Sequence, residues 1–123
     1  ADTLQPGDHG STFAGGPLAA AAALAAFDVI DDPALLRRVR ELGGRLCEEL
    51  EELPGVESTR GRGLMIGVAL AGDRNSADVA SELLAAGLVV NPPRPDTIRL
   101  LPPLTLEDSE LDRALELLAS ALQ

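Results

Sequence analysis

Residues 56–70, VESTRGRGLMIGVAL, decide the fold. Val56 to Arg60 and Leu64 to Leu70 read as two β-strands, and Gly61, Arg62 and Gly63 between them permit the positive φ of a tight reversal. In the second strand Leu64, Ile66, Val68 and Leu70 point one way, and Met65, Gly67 and Ala69 the other. Apolar or small residues on both sides suggest a strand covered on both faces. A hairpin inside a chain otherwise rich in helical spacing points away from an all-helical bundle.

Outward from the hairpin the pattern turns helical. Upstream, Leu35, Leu36, Val39, Leu42, Leu46, Leu50 and Leu53 form one apolar stripe, started by Asp31 or Asp32 with Pro33 in the first turn and ended by Pro54 and Gly55. Arg37, Arg38 and Arg40 lie early in this helix and Glu48, Glu49, Glu51 and Glu52 late, opposing the macrodipole by about 0.3–1 kcal/mol per exposed charge. Burial of the stripe, at about 1.5–3 kcal/mol per side chain, outweighs that penalty. Before it, Pro17 opens an alanine-rich helix from Leu18 to about Ile30, preceded by a Gly, Ser, Thr and Asp loop. Downstream, Asn75 or Ser76 caps a short helix with Val79, Leu83 and Leu84 that Gly87 closes. Leu88 to Val90 and Thr97 to Leu101 read as short strands separated by an Asn91 to Asp96 turn. Thr105 with Asp108 resembles a capping box for a last helix on Leu111, Leu115, Leu118 and Leu122. The sum predicts an α+β fold, a small, largely antiparallel sheet covered by helices.

Composition narrows the partners. The 123 residues carry 20 acidic and 10 basic side chains, a net charge of −10. The arginines form no basic stripe, so nucleic acid and anionic membranes are excluded as natural partners. The longest apolar run, Leu18 to Phe27, is too short to span a bilayer. A single cysteine, Cys47, fits a reducing, cytoplasmic setting. Every basic residue is arginine; lysine is absent, which the composition of a GC-rich coding sequence explains at surface positions. The chain starts at Ala1 and its one methionine is Met65, which suggests a piece of a longer protein.

Two segments have the chemistry of a binding site. The loop from His9 to Gly16, with Ser11 and Thr12, leads into a helix start, where backbone N–H groups and hydroxyls suit a phosphate; the bland alternative is a turn. Arg99 ends an apolar strand, where its guanidinium fork matches the two oxygens of a carboxylate; the alternative is a snorkelling or ion-paired arginine. Arg60 and Arg62 either order the hairpin turn or meet an acidic surface. His9 has no second histidine or cysteine at ligand spacing, so no metal site is expected. Cys47 reads as packing, Glu48 to Glu52 as a solvated face, and Ser11 lacks the setting of a hydrolase nucleophile. No catalytic dyad can be assembled.

Taken in order, HGSTFAGGPLAAAAA (9–23), RGRGLMIGV (60–68), GLVVN (87–91) and IRLLPPLTL (98–106) resemble the C-terminal part of class III pyridoxal-phosphate aminotransferases, nearest the acetylornithine and ornithine group. The resemblance implies the C-terminal domain of a fold-type I enzyme, with residues 1–16 a cofactor-phosphate loop segment, 17–32 a linking helix and 33–123 the small α+β domain. It implies that Thr12, with Ser11 as a weaker neighbour, contacts the phosphate of pyridoxal 5'-phosphate in the partner subunit of a homodimer. It implies that Arg99 grips the α-carboxylate of the amino-acid substrate. Where the family commonly has glycine, glycine and asparagine, this chain has Ala14, Gly15 and Gly16, so any role of that asparagine is lost.

The resemblance also gives the missing lysine a meaning. In the family a lysine upstream of the threonine loop forms the Schiff base with the cofactor, and an aspartate of the large domain pairs with the pyridine nitrogen. Both would precede Ala1, so this polypeptide alone is expected to be inactive and to contain no catalytic residue. The parent activity implied is amino transfer from N-acetylornithine or a related ω-amino acid to 2-oxoglutarate, in arginine- or lysine-type biosynthesis. The alternatives are a free-standing, non-catalytic carboxylate-binding or interaction domain, and an acidic helical scaffold. If the fragment reading holds, the helix from Leu18 to Ile30 should expose apolar surface.

Overall fold

A computed structural model of the chain describes residue 10 and residues 15–123. It divides into two compact units, Ala1–Asp32 and Pro33–Gln123. In the first, α1 runs from Pro17 to Ile30 with Pro17 in its opening turn, and Asp31 closes it by donating its N–H to the Phe27 carbonyl at 2.8 Å. No residue of α1 is buried, and Leu18, Leu24 and Phe27 are exposed.

The second unit follows in the order α2 (Pro33–Glu51), β1 (Val56–Arg62), β2 (Met65–Leu70), α3 (Ser76–Ala85), β3 (Asn91–Arg94), β4 (Thr97–Leu100) and α4 (Asp108–Ala121). All neighbouring strands are antiparallel, and the sheet order is β1-β2-β4-β3. The α+β expectation is thus met, with one continuous core. Val39, Leu42, Leu46 and Leu50 of α2, Val79 and Leu83 of α3, and Leu111, Leu115 and Leu118 of α4 bury against Ile66, Val68, Leu70, Ile98 and Leu100 of the sheet.

That core lies on one face only. The expectation that β2 is covered on both faces is corrected: Met65 is 53% exposed, and Gly67 and Ala69 are half-buried. The hairpin turn is also shorter than predicted. Gly61 and Arg62 continue β1 in register with Ile66 and Met65, and the reversal is Gly63-Leu64. Gly63, at φ +57°, is the first central residue, where a two-residue hairpin needs positive φ. Leu64 therefore leaves the strand but stays in the core, 2% exposed. Behind the turn, α2 approaches so closely that a Cβ on Gly43 would lie 2.2 Å from the Gly63 carbonyl oxygen.

Two further boundaries differ. Leu88 to Val90 form no strand, and the start of this segment belongs to the Schellman ending of α3: the Gly87 N–H donates to the Leu84 carbonyl and the Leu88 N–H to the Leu83 carbonyl, with Gly87 at φ +95°. The strand is instead Asn91–Arg94, inside the predicted turn. Pro92 and Pro93 have no N–H to give, and β3 is an edge strand, where that loss is tolerated. The Ser76 hydroxyl secures it by donating to the Arg94 carbonyl at 2.5 Å. The cap of α3 is Asn75, whose Oδ1 accepts from the Ala77 N–H at 2.8 Å. At α4 the cap is Glu107, not Thr105, and its N–H donates to Glu110 Oε2 at 2.9 Å.

Candidate functional site

Strand alternation places Arg99 opposite the core. Ile98 and Leu100 are buried against the helices, so the side chain between them faces away, and Arg99 is exposed. Antiparallel register then sets its neighbours. Arg99 pairs with Gly67 of β2 on one side and Asn91 of β3 on the other, and Gly67 in turn pairs with Arg60 of β1. The open face therefore carries one row across all four strands: Arg60, Gly67, Arg99, Asn91. Arg62, opposite Met65, stands two residues further along β1 on the same face.

The Arg60 side chain lies over its neighbour. Its Cγ and Nε are each 3.7 Å from where a Cβ on Gly67 would be. Among the described residues, no ion pair involves Arg60, Arg62 or Arg99. Some arginines of the helical layer, by contrast, are paired. There Arg38 pairs with Asp108 at 2.7 Å, and Arg45 with Glu49 at 2.6 Å and Asp112 at 2.5 Å. The hydrogen bond to Asp108 raises the Arg38 pKa, and the bonds to Asp112 and Glu49 raise that of Arg45. Asp108 is correspondingly held below the ordinary carboxylate value, chiefly by its hydrogen bond with Arg38.

The row can bind and orient an anion. Guanidinium groups take a carboxylate through parallel N–H···O bonds, and Asn91 adds an amide at the end of the row. None of the four is a nucleophile or a proton carrier at neutral pH. A cavity of about 340 Å³ lies elsewhere, against Leu46, Leu100, Pro102, Leu111 and Leu118, with Glu110 the charged residue in its largely apolar wall, and offers an anion nothing. We take the row as the better site because its chemistry, not its concavity, suits a charged ligand. Thr12, Ser11 and His9 lie outside the described residues, so the phosphate-loop expectation stands without a structural account. Among the described residues no cluster of histidine, cysteine and carboxylates could hold a metal, and no helix is long and apolar enough to cross a membrane. The alignment of Arg60 and Gly67 in one row with Arg99 is not readable from spacing, since it depends on β4 lying beside β2.

A family model for aminotransferase class-III matches residues 1–122. This chain belongs to the class-III aminotransferase family. Acetylornithine aminotransferase 1 of Bordetella bronchiseptica is 42% identical over the whole chain, and ornithine aminotransferase of Staphylococcus carnosus is 44% identical over 94% of it. The chain spans about a third of these relatives' length, 32% and 29%. The solved acetylornithine aminotransferase of Elizabethkingia anophelis superposes with a TM-score of 0.78 at 32% identity, over 97% of this chain and 33% of that one. A Plasmodium yoelii ornithine aminotransferase gives 0.78 at 31% identity over the same shares. The class-III aminotransferase resemblance read from the four motifs is therefore correct.

Proposed function

We propose that the chain is the C-terminal part of a pyridoxal-phosphate-dependent aminotransferase, and that Arg99 receives the α-carboxylate of its amino-acid substrate. The carrying observation is the position of Arg99: solvent-facing on β4, without an ion-pair partner among the described residues, in a chain of net charge −10. An arginine left unpaired amid excess carboxylates is available to an external one. The names of the relatives support N-acetylornithine or a related ω-amino acid as donor. Within the proposal, 2-oxoglutarate is the acceptor and the reaction has a place in cytoplasmic arginine- or lysine-type biosynthesis.

The cofactor, when bound, supplies an electron sink for bond breaking at the substrate α-carbon. This chain does not fit its covalent attachment, because it contains no lysine. The part assigned to it is binding: Thr12, with Ser11 beside it, to the cofactor phosphate in the partner subunit of a homodimer, and Arg99 to the substrate. The 123 residues alone are expected to be inactive.

A chimera tests the reading. Residues 1–123 replace the matching third of the Bordetella bronchiseptica enzyme, and glutamate formation from 2-oxoglutarate and N-acetylornithine is followed. The chimera should transaminate, the isolated chain should not, and Arg99→Gln in the chimera should lower kcat/KM by about 10–100-fold, the equivalent of one or two charge-assisted hydrogen bonds. A folded chimera without activity, or one indifferent to Arg99→Gln, overturns the proposal.

A further inference from the structure

The two edges of the sheet are closed by different means. At β3, Pro92 and Pro93 have no N–H to offer an added strand. The other edge is β1, seven residues long and without proline. Its outward backbone groups follow from the hairpin. A two-residue turn makes Arg62 and Met65 a hydrogen-bonded pair, and the bonding then skips to Arg60 and Gly67, so Thr59 and Gly61 turn their N–H and C=O groups away from β2. Outward groups left free on an edge are a template for another strand.

Thr59 is not free. Glu51, the last residue of α2, sets its carboxylate against the edge: Glu51 Oε1 accepts from the Thr59 N–H at 3.2 Å and from the Thr59 hydroxyl at 2.5 Å. Sequence spacing reads Glu51 as part of a solvated helix face, yet it holds both donors of one residue in the middle of the edge strand. A carboxylate there also repels the carbonyl oxygen that an incoming strand would bring to the same N–H.

We propose that Glu51 is a latch on the β1 edge, which keeps this strand from pairing antiparallel with β1 of a second copy of the chain. A second copy is the fitting occupant because the strand complements itself. With a two-fold axis at Thr59, each Thr59 N–H meets the Thr59 carbonyl of the other copy, and Ser58 stands opposite Arg60 of the second copy, so like charges do not face each other. The central bonds of that pairing use the N–H that Glu51 holds.

The test compares the 123-residue chain with Glu51→Ala, Glu51→Gln and Glu52→Ala, by amide hydrogen exchange and by sedimentation over a concentration series. In dilute solution the Thr59 N–H should exchange about tenfold faster in Glu51→Ala, the effect of losing one bond to a charged acceptor, while the Gly61 rate stays as it is. On concentration Glu51→Ala should associate at about tenfold lower concentration than the parent, and Thr59 and Gly61 should become protected together as it does. Glu52→Ala removes the same charge one residue further on and should associate as the parent does. Glu51→Gln keeps an uncharged acceptor at the edge; it should show both effects in smaller measure, and it carries the comparison if Glu51→Ala does not fold. Unchanged exchange in β2 and β4 establishes that the variants are folded. An unchanged Thr59 rate on loss of the carboxylate, no added association, equal association in Glu52→Ala, or association that leaves Thr59 and Gly61 exchanging freely would each overturn the latch.

Discussion

On the helical side of the sheet, Ile66, Val68 and Ile98 are wholly buried and Leu100 nearly so, while on the other side the same two strands present Gly67 and Arg99, and neighbouring β1 presents Arg60. Adjacent residues thus answer to different demands. Ile98 is held by packing, and Arg99, one peptide unit away, is exposed and has no ion-pair partner among the described residues. Stability and binding are separated here by strand alternation alone, so substitutions at neighbouring positions should have effects of different kinds.

The largest expected effect is on the buried face. Ile98→Ala removes a fully buried side chain from the middle of the core, and should lower the unfolding free energy by about 2–5 kcal/mol in urea titrations. A loss under about 1 kcal/mol would mean that the core relaxes around β4 and that the two faces are not as distinct as their burial suggests.

Next comes the close approach of α2 to the hairpin. Gly43→Ala puts a methyl group 2.2 Å from the Gly63 carbonyl oxygen, and helix or turn must move. The strain should exceed the helix-propensity gain and leave a net loss of about 1–3 kcal/mol. Gly44 has open space at the same point, so Gly44→Ala should stabilise by up to about 1 kcal/mol. Opposite signs at consecutive glycines would confirm the helical layer's seating on the core side, and equal signs would contradict it.

These two predictions rest on features of unequal legibility. The stripes of α2 and α4 and the existence of the hairpin were readable because period 3.6 and period 2 leave distinct marks on apolar residues. From sequence Arg99 reads only as the end of an apolar strand; its place opposite the core needs the buried Ile98 and Leu100 on either side of it. Strand β3 was not readable: Asn91, Pro92, Pro93 and Arg94 carry turn chemistry, and only their edge position makes a strand of them. Leu88 to Val90 look like a strand, yet the helix ending claims the N–H of Leu88. The row from Arg60 to Asn91 needed the strand order, a non-local fact that no window of sequence contains. Close approaches such as Gly43 to Gly63 are equally non-local.

Arg99→Gln belongs to the open face, and its effect on stability should stay within about 0.5 kcal/mol, as for an exposed position with no structural partner. Carboxylate binding by the same variant should fail. A variant that loses stability as Ile98→Ala does would show that the guanidinium serves the fold, and the division between the faces would collapse at its clearest point.

The smallest effect distinguishes arginines that are paired from those that are not. Arg38 joins α2 to the start of α4 through Asp108, with both side chains substantially exposed, at 41% and 61%. The Arg38 guanidinium holds Asp108 below the ordinary carboxylate value, so the folded pKa is the depressed one. Such a group contributes stability above the unfolded value, about 3.9, and loses it as pH falls through the folded value. The contribution is small because exposed pairs are screened by water and salt. Asp108→Asn should therefore lower the urea midpoint slightly at pH 7, less so in high salt, and the gap between variant and parent should close in acid as Asp108 itself becomes neutral. Its position in the first turn of α4 acts in the same direction, since a carboxylate there complements the helix N-terminus and is lost with the same protonation. Arg60→Gln and Arg62→Gln, without a carboxylate partner, should show no such pH-dependent gap. A gap for Asp108→Asn that persists unchanged well below the carboxylate range would mean that the pair acts through packing, and charge would then no longer distinguish Arg38 from the arginines of the open face.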